Sequence, residues 1–153
     1  METNQMNATV RYTGGLSFLG KGDTNHWVAM DGPPELKGEN AGSRPKELIL
    51  LALGGCTGSD VASILNKRRV PYRKFEIGLT AEKATEHPIV FTRIDITYRF
   101  EGDHLSVEEL ERAIHLSLDK YCSVSAMLRK AMPIDWTLEV NGERVREGSE
   151  AAA

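Results

Sequence analysis

The chain has 153 residues, a formal net charge of -3, 41% apolar residues and 27% charged residues, which indicates one globular domain with a real core. The acidic balance argues against a nucleic-acid or acidic-membrane partner. The N-terminus lacks the pattern of a signal peptide, and the longest apolar run, from Leu48 to Leu53, is far shorter than a membrane span. We therefore expect a cytoplasmic protein whose two cysteines are thiols rather than a structural disulfide.

Alternation of apolar and polar residues in the first part of the chain predicts three short strands, of which the first is half-buried. The predicted strands cover residues 7–12, 16–20 and 26–30. A loop rich in glycine and proline follows, and Ser43 is the predicted N-cap of a long helix. Pro45 and Glu47 lie in the first turn of this helix, which we expect to end near Arg69.

Two longer strands are predicted next, at residues 74–83 and 89–100, from the same alternation. The sequence from Ser106 to Glu109 then forms a capping box, which marks the start of a helix. Apolar residues recur along this helix at helical spacing, so one of its faces is expected to pack on the sheet.

The last part of the chain predicts a short helix and one strand. Ser123 or Ser125 is the expected cap of the helix, and the strand covers residues 134–140. We interpret residues 1–142 as a single domain. Residues 143–153 are rich in charge and end in three alanines, so we expect them to form a disordered tail.

The long helix is apolar on every side between Leu48 and Leu53. A monomer of this size rarely surrounds a helix so completely, which favours a homodimer with this helix at its centre. Gly54 and Gly55 follow, and each glycine costs about 1 kcal/mol relative to alanine inside a helix. They indicate either the close approach of another backbone or a kink that leaves Cys56 near a new helix start, where free N–H groups favour the thiolate.

Cys56 and Cys122 are the two cysteines of the chain, and both lie in settings that suggest thiol chemistry. Cys56 ends a run of apolar and small residues, whereas Cys122 closes the second main helix and precedes Ser-Val-Ser. A reactive thiol needs a partly open environment, and a resolving thiol must be brought to it by the fold. Asp60, one turn after Cys56, would oppose ionisation of that thiol unless a cation balances it. Alternatively, Cys56 is a small core residue.

Taken with Pro45-Lys-Glu-Leu and the final Trp136-Thr-Leu-Glu-Val segment, these cysteine motifs resemble the OsmC/Ohr superfamily of osmotically inducible and organic hydroperoxide resistance proteins. The resemblance extends over nearly the whole chain. It implies an α+β fold in which antiparallel sheets pack on two main helices. It also implies an intertwined homodimer whose central helices carry the reactive cysteines, and an antioxidant role in oxidative stress.

The resemblance further implies a peroxidase that uses neither a metal nor a cofactor. Cys56, as the thiolate, would attack an organic hydroperoxide or, less efficiently, hydrogen peroxide, and become a sulfenic acid. Cys122 would condense with the sulfenic acid to form a disulfide, which an external dithiol reduces.

The sequence departs from the family pattern in the groups that activate the thiolate. Well-characterised members have a glutamate directly after the proline and an arginine in the glycine turn after the first strand. This chain has Lys46 after the proline, Glu47 one residue later, and no arginine in that turn. Nine residues make two and a half helical turns, so Glu47 would face away from Cys56 on an unbroken helix. The candidate activating cations are Arg44 and Lys46, followed by Arg11 and Arg129.

One other function stays open, that of a non-catalytic dimer which keeps the fold and binds a small ligand. The sequence favours no metal site, because the four histidines have no ligand spacing with one another or with the cysteines. It also lacks the signals of a Ser-His-Asp triad and of a phosphate-binding glycine loop. Trp27 and Trp136 are expected to anchor the core or an interface.

Overall fold

The computed structural model describes residues 4–151. These residues form two compact units, the first ending at Ile49 and the second beginning at Leu50. The single domain expected over residues 1–142 stays a prediction.

The first unit contains a three-stranded antiparallel sheet in the order in which its strands occur along the chain. Its strands are β1 (Ala8–Gly14), β2 (Ser17–Gly22) and β3 (Val28–Met30). Gly14 and Gly15 have φ angles of +124° and +54°. Glycine adopts such angles without steric cost, so this pair forms the turn between β1 and β2. The three strands predicted from alternation are therefore present.

The prediction that β1 is half-buried is wrong for the chain on its own. Val10 and Tyr12 are 60% and 61% exposed, and their polar neighbours in β1 are exposed as well. The alternation therefore predicted the strand correctly, but the apolar side chains of β1 are not buried in the single chain.

The long helix α1 (Pro45–Lys67) begins without the predicted Ser43 cap. The backbone of Ser43 is hydrogen-bonded to Ala29 and Asp31 instead, beside an isolated bridge to Met30. The Glu47 carboxylate accepts the backbone N–H of Arg44 at 2.9 Å. In a capping box, a glutamate at the third helical position accepts the backbone N–H of the N-cap residue. The bond from Arg44 to Glu47 is this half of the motif. The prediction of Ser43 as the N-cap is thus wrong by one residue.

The second unit is built on a four-stranded sheet in the order β4-β5-β6-β7. Its strands are β4 (Lys74–Lys83), β5 (Phe91–Glu101), β6 (Ile134–Val140) and β7 (Glu143–Glu150). The α+β class is confirmed, but one strand pair differs from the expected antiparallel arrangement. β5 and β6 run parallel, from Ile94 opposite Ile134 to Phe100 opposite Val140. Parallel neighbours need a long crossover, and here helices supply it.

The crossover consists of α2 (Val107–Leu116), one π-helical segment (Ser117–Tyr121) and α3 (Ser123–Leu128). The predicted start of α2 is confirmed, since Ser106 Oγ accepts the N–H of Glu109 at 3.3 Å. The predicted cap of α3 is wrong, because Cys122 holds that position. Its sulfur accepts the N–H of Ser125 at 3.4 Å.

Within the second unit, α1 packs on the sheet through Leu53, Val61 and Leu65, which are fully buried. The helix runs unbroken through its paired glycines, which excludes the kink, one of the two alternatives predicted for them. A Cβ atom on Gly54 would lie 2.8 Å from Leu79 Cδ1, which shows that a side chain of β4 needs the space. By length and composition α1 could also cross a membrane, although core helices of soluble proteins pass the same test.

The prediction of a disordered tail at residues 143–153 is wrong for Glu143–Glu150, which form strand β7. This strand pairs with β6 from Val140 opposite Glu143 to Ile134 opposite Glu150. Gly148 lies opposite Trp136, and a Cβ atom there would be 2.6 Å from the indole ring. Trp136 is 2% exposed, so the predicted anchor is part of the core. High charge in β7 reflects an edge strand with a solvent-exposed face.

We predict that Gly148→Ala lowers the free energy of unfolding by about 1–3 kcal/mol, since a rigid indole cannot move aside for the new methyl group. Urea denaturation of the variant and of the unaltered protein measures the difference. Glu143→Ala, at an exposed position of the same strand, is the control and should change stability by less than about 0.5 kcal/mol. Equal stability of all three proteins would show that β7 does not cover Trp136.

Candidate functional site

Cys56 and Cys122 occupy different positions relative to the helices around them. Cys56 lies in the middle of α1 and is partly exposed, so it is not at the new helix start that a kink would have created. Cys122 is 2% exposed and follows the π segment as the N-cap of α3. Of the two thiols, Cys56 is therefore the one that a solute reaches.

The π segment fixes the direction of the chain at Cys122. The N–H of Cys122 donates to the carbonyl of Ser117 at 2.8 Å, five residues earlier, where an α-helix would bond four residues earlier. This wider turn is often found at functional sites. Sequence periodicity does not signal it, because the apolar stripe of α2 reaches Leu118 without interruption.

The fold brings the two sulfur atoms together with one carboxylate. Sγ of Cys56, Sγ of Cys122 and a carboxylate oxygen of Asp60 all lie within 4.8 Å of one another. Cys56 and Asp60 are four residues apart on α1 and so share a helix face. Cys122 comes from 66 positions further along the sequence, and both cysteines are free thiols.

Burial raises the pKa of the Cys122 thiol above its usual value. Hydrogen bonds from the backbone and side chain of Ser125 lower this pKa in part, whereas a hydrogen bond with Cys56 and the charge on Cys56 raise it further. Burial therefore favours the neutral thiol form of Cys122.

A chain of buried hydroxyl groups leads from the sheet to Asp60. Thr57 Oγ1 lies 2.7 Å from the Tyr98 hydroxyl and 2.8 Å from Ser117 Oγ. Ser117 Oγ donates to Asp60 Oδ2 at 2.9 Å. Tyr98, Thr57 and Ser117 are completely buried, so every hydroxyl in this chain depends on its neighbours for a partner.

The protons in this chain all point toward the carboxylate. A carboxylate oxygen only accepts, so the single proton of Ser117 is committed to Asp60. Thr57 must then donate to Ser117, and Tyr98 to Thr57. Burial raises the pKa of the Tyr98 phenol well above its usual value, the hydrogen bond with Thr57 lowers it in part, and the nearby carboxylates of Asp60 and Glu150 raise it further. Tyr98 therefore stays a donor.

Sequence analysis missed Tyr98, Thr57 and Ser117 as parts of the site. Each lies where the apolar pattern of its own element faces the core, Tyr98 in β5, Thr57 in α1 and Ser117 at the end of α2. A hydroxyl group at a buried position needs a hydrogen-bond partner. This requirement is the signal in the sequence that could have identified these three residues.

Two of the other predicted site residues, Arg44 and Glu47, hydrogen-bond to backbone groups within the first unit. Arg44 lies in the first unit, where its guanidinium is 3.4 Å from the carbonyls of Asp31 and Gly42. Glu47 is occupied as a cap, and Lys46 is exposed in the first turn of α1. A role of Arg44, Lys46 or Glu47 toward Cys56 stays a prediction.

Arg129 is paired with Glu150 at 2.7 Å, which makes it part of a second cluster. Donor atoms of His115, Asp119 and Glu150 lie within 4.8 Å of one another. Burial raises the pKa of the Glu150 carboxyl, the charge of Asp119 adds to this effect, and Arg129 opposes it. Since Arg129 already supplies a cation, we interpret the cluster as an ion-paired network rather than a metal centre. His115 also lies 3.8 Å from the carboxylate of Glu111, one turn earlier on α2.

Open space next to Asp60 lies along α1. A groove of about 250 Å³ is lined by Asp60, Ser63, Ile64, Lys67 and Tyr121. A larger hollow, of about 590 Å³, is lined by charged strand residues such as Arg93, Asp135 and Arg144. Neither space is lined by a cysteine, but the groove is lined by Asp60 and is therefore the relevant space for chemistry at that carboxylate.

Comparison with known proteins places this architecture in a family. The sequence model of the family described as OsmC-like protein matches residues 38–137. Protein YhfA of Escherichia coli K12 is 42% identical over 135 residues, which cover 88% of this chain and 98% of YhfA. The chain belongs to the OsmC-like protein family, within the superfamily that its cysteine motifs resemble.

Solved structures support the same fold. A hypothetical protein from Aquifex aeolicus VF5 is 30% identical, with a TM-score of 0.75 over 92% of this chain and 99% of its own. An organic hydroperoxide resistance protein OsmC from Legionella pneumophila has a TM-score of 0.64 at 16% identity, over 92% of this chain and 98% of its own. At that identity the likeness shows the fold alone, and the expected OsmC-like fold is confirmed.

We predict that Thr57→Val lowers the free energy of unfolding by about 1–3 kcal/mol, because it leaves buried hydroxyls of Tyr98 and Ser117 short of a partner. Valine keeps the shape of threonine, so the loss reports on hydrogen bonding. Chemical denaturation measures it, with Ser59→Ala as the control. Ser59 is exposed on the same helix and bonds only the carbonyl of Gly55.

In the double variant Thr57→Val/Tyr98→Phe, the second change should cost less than it does alone, because its partner is already gone. Strictly additive losses would contradict the hydrogen-bonded chain.

Proposed function

We propose that the protein is a thiol peroxidase that reduces organic hydroperoxides and, less efficiently, hydrogen peroxide. Cys56 is the attacking thiol and Cys122 the resolving thiol. The observation that carries the proposal is the pair of sulfur atoms within 4.8 Å in one chain. A sulfenic acid formed on one sulfur has the other thiol within reach after a small motion.

Accessibility and charge favour this assignment of roles over the reverse. Cys56 is the more exposed thiol, so a bulky hydroperoxide meets it first. Burial raises the pKa of the Cys122 thiol. Since the thiolate is the nucleophile, the buried thiol that is harder to ionise is less suited to the first attack.

The reaction proceeds in three balanced steps. The Cys56 thiolate attacks the distal oxygen of the hydroperoxide, the O–O bond breaks, and the alkoxide leaves and takes up a proton as the alcohol. Cys122 then attacks the sulfur of the resulting sulfenic acid, and water leaves as the disulfide forms. An external dithiol reduces this disulfide by exchange and returns both thiols.

The names of structural neighbours support the choice of substrate class. Proteins of this fold from Legionella pneumophila and Elizabethkingia anophelis are named organic hydroperoxide resistance proteins. The apolar run of α1 from Leu48 to Leu53 ends three residues before Cys56, and we propose that it contacts the alkyl part of such a substrate. We further propose that the protein acts in the cytoplasm, where thiols remain reduced between turnovers.

We also propose a homodimer centred on α1. Leu51, within the apolar run of α1, is 59% exposed in the single chain, and the apolar residues of β1 are exposed as well. Large exposed apolar side chains in several elements are typical of an interface. The expected occupant is a second copy, since family resemblance implies an intertwined dimer.

We predict that Cys56→Ser abolishes turnover of cumene hydroperoxide with a dithiol reductant while leaving the fold intact, because serine is nearly isosteric but a far weaker nucleophile. A coupled assay and circular dichroism measure the two properties. Unchanged turnover would contradict the assignment of Cys56. A Cys56 thiol of the unaltered protein that does not react with the hydroperoxide would favour a non-catalytic, ligand-binding role.

We predict that Cys122→Ser reacts once with the hydroperoxide and then stops at the sulfenic acid, because the resolving thiol is missing. Dimedone labelling followed by mass spectrometry should find the label on Cys56. In the unaltered protein, one equivalent of hydroperoxide should consume both thiols. Loss of one thiol per chain in the unaltered protein would exclude the intramolecular disulfide.

We predict that the protein sediments at twice the mass of one chain at micromolar concentration and that Leu51→Lys shifts it toward the monomer, because a charge is then buried in an apolar contact. Lys130→Glu, at an exposed position of the chain, is the control. A stable monomer before any substitution would overturn the proposed dimer.

A further inference from the structure

We propose that Asp60 is the general base that takes the proton from Cys122 when the two cysteines close a disulfide, and that the hydroxyls of Tyr98, Thr57 and Ser117 hold its carboxylate in position. The inference deepens the proposed function, since it concerns the same pair of thiols. It also applies to any oxidation that begins at Cys56, whichever oxidant is used.

The resolving step needs a base because Cys122 is a poor nucleophile as it stands. Only the thiolate attacks sulfur efficiently. Cys122 is 2% exposed, so water has little access to its proton. Burial also raises the pKa of this thiol. The disulfide cannot close while Cys122 keeps its proton, so this proton must go to an acceptor near the two sulfur atoms.

Asp60 is placed to be that acceptor. One of its carboxylate oxygens lies within 4.8 Å of both sulfur atoms. This separation is closed by a small side-chain rotation or by one bridging water, and catalytic contacts are often long before the reacting complex forms. The neighbouring groove also contains Asp60, so water has a path to the carboxylate.

The hydroxyl chain restricts the freedom of the carboxylate. Ser117 Oγ binds Oδ2 at 2.9 Å and is itself fixed by Thr57 at 2.8 Å. Thr57 is fixed in turn by the Tyr98 hydroxyl at 2.7 Å. With one oxygen held by a buried donor, the carboxylate has little freedom to rotate away from the sulfurs. Ser117, Thr57 and Tyr98 are positioning residues, since they act through Asp60.

The step balances without any further reactant. As Cys122 sulfur bonds to the sulfur of the Cys56 sulfenic acid, the S–O bond breaks and hydroxide leaves. Asp60 takes the Cys122 proton and passes it to the leaving hydroxide, which becomes water. The carboxylate is restored, and the two electrons of the new S–S bond come from Cys122.

Removal of the base should slow the second step and spare the first. The reagent 2,2′-dithiodipyridine is neutral and releases one coloured thiopyridone when Cys56 attacks it and a second when Cys122 resolves the mixed disulfide. In Asp60→Asn we expect the second release to slow by about 100-fold, the lower range for loss of a general base. The first release should not slow, because a negative charge near the Cys56 thiolate has been removed.

Asp119→Asn is the matched control. It removes the same charge three residues before Cys122, but its carboxylate belongs to the cluster with His115 and Glu150. Its second release should match that of the unaltered protein. If Asp60→Asn also resolves as fast as the unaltered protein at neutral pH, the inference is overturned.

A pH series separates a positioning role from a distorted fold. Ser117→Ala should slow the second release roughly tenfold, the equivalent of one hydrogen bond, and this deficit should vanish at alkaline pH, where Cys122 ionises unaided. A deficit that persists at every pH would contradict the positioning role. The titratable and charged groups around Asp60 come from three elements: Cys56 and Lys67 on α1, Tyr121 and Cys122 at the π segment, and Tyr98 on β5.

Hydroperoxide distinguishes this inference from the proposed function. If the unaltered protein does not react with cumene hydroperoxide but Asp60→Asn still slows the second thiopyridone release, the peroxidase proposal fails and the role of Asp60 stands. If hydroperoxide reacts, dimedone should trap more Cys56 sulfenic acid in Asp60→Asn than in the unaltered protein. Equal trapping would count against Asp60 as the base.

Discussion

The buried hydroxyl of Thr57 is the point on which the thiol site depends. It bonds Tyr98 on the sheet and Ser117 at the start of the π segment, so one atom of α1 ties together three elements. All three residues are fully buried, and each hydroxyl left without a hydrogen bond would be costly. Loss of any one of these hydrogen bonds therefore weakens the whole site.

This constraint explains why thiols distant in sequence meet reliably. The position of Cys56 is set by α1, and the position of Cys122 is set by the end of the π segment. The hydroxyl chain links these two elements and so fixes the two cysteines relative to each other. The same chain ends on Asp60, whose carboxylate lies within 4.8 Å of both sulfurs. The hydroxyl chain thus both stabilises the fold and positions Asp60. Its effect on stability is separated from its effect on the reaction when the free energy of unfolding and the reaction rate are measured for the same variant.

Local patterns predicted the elements well and their connections poorly. The strand at residues 134–140 and the Ser106 cap follow from alternation and from a short capping motif, and both are present. The parallel pairing of β5 and β6 and the strand β7 are long-range outcomes that no local pattern encodes. The two cysteines and Asp60 were visible in the sequence, but the hydroxyl chain was not, because each hydroxyl has an ordinary place in its own element.

The π segment has a consequence for how this site tolerates changes in chain length. Its extra residue widens one turn, and Cys122 comes directly after it. A deletion of a single residue here would let the helix continue as an α-helix, and each residue of an α-helix turns the chain by about 100°. Such a chain would retain its core and both cysteines yet point the second sulfur elsewhere. Spacing between Ser117 and Cys122 is thus as much a part of the site as the cysteines themselves.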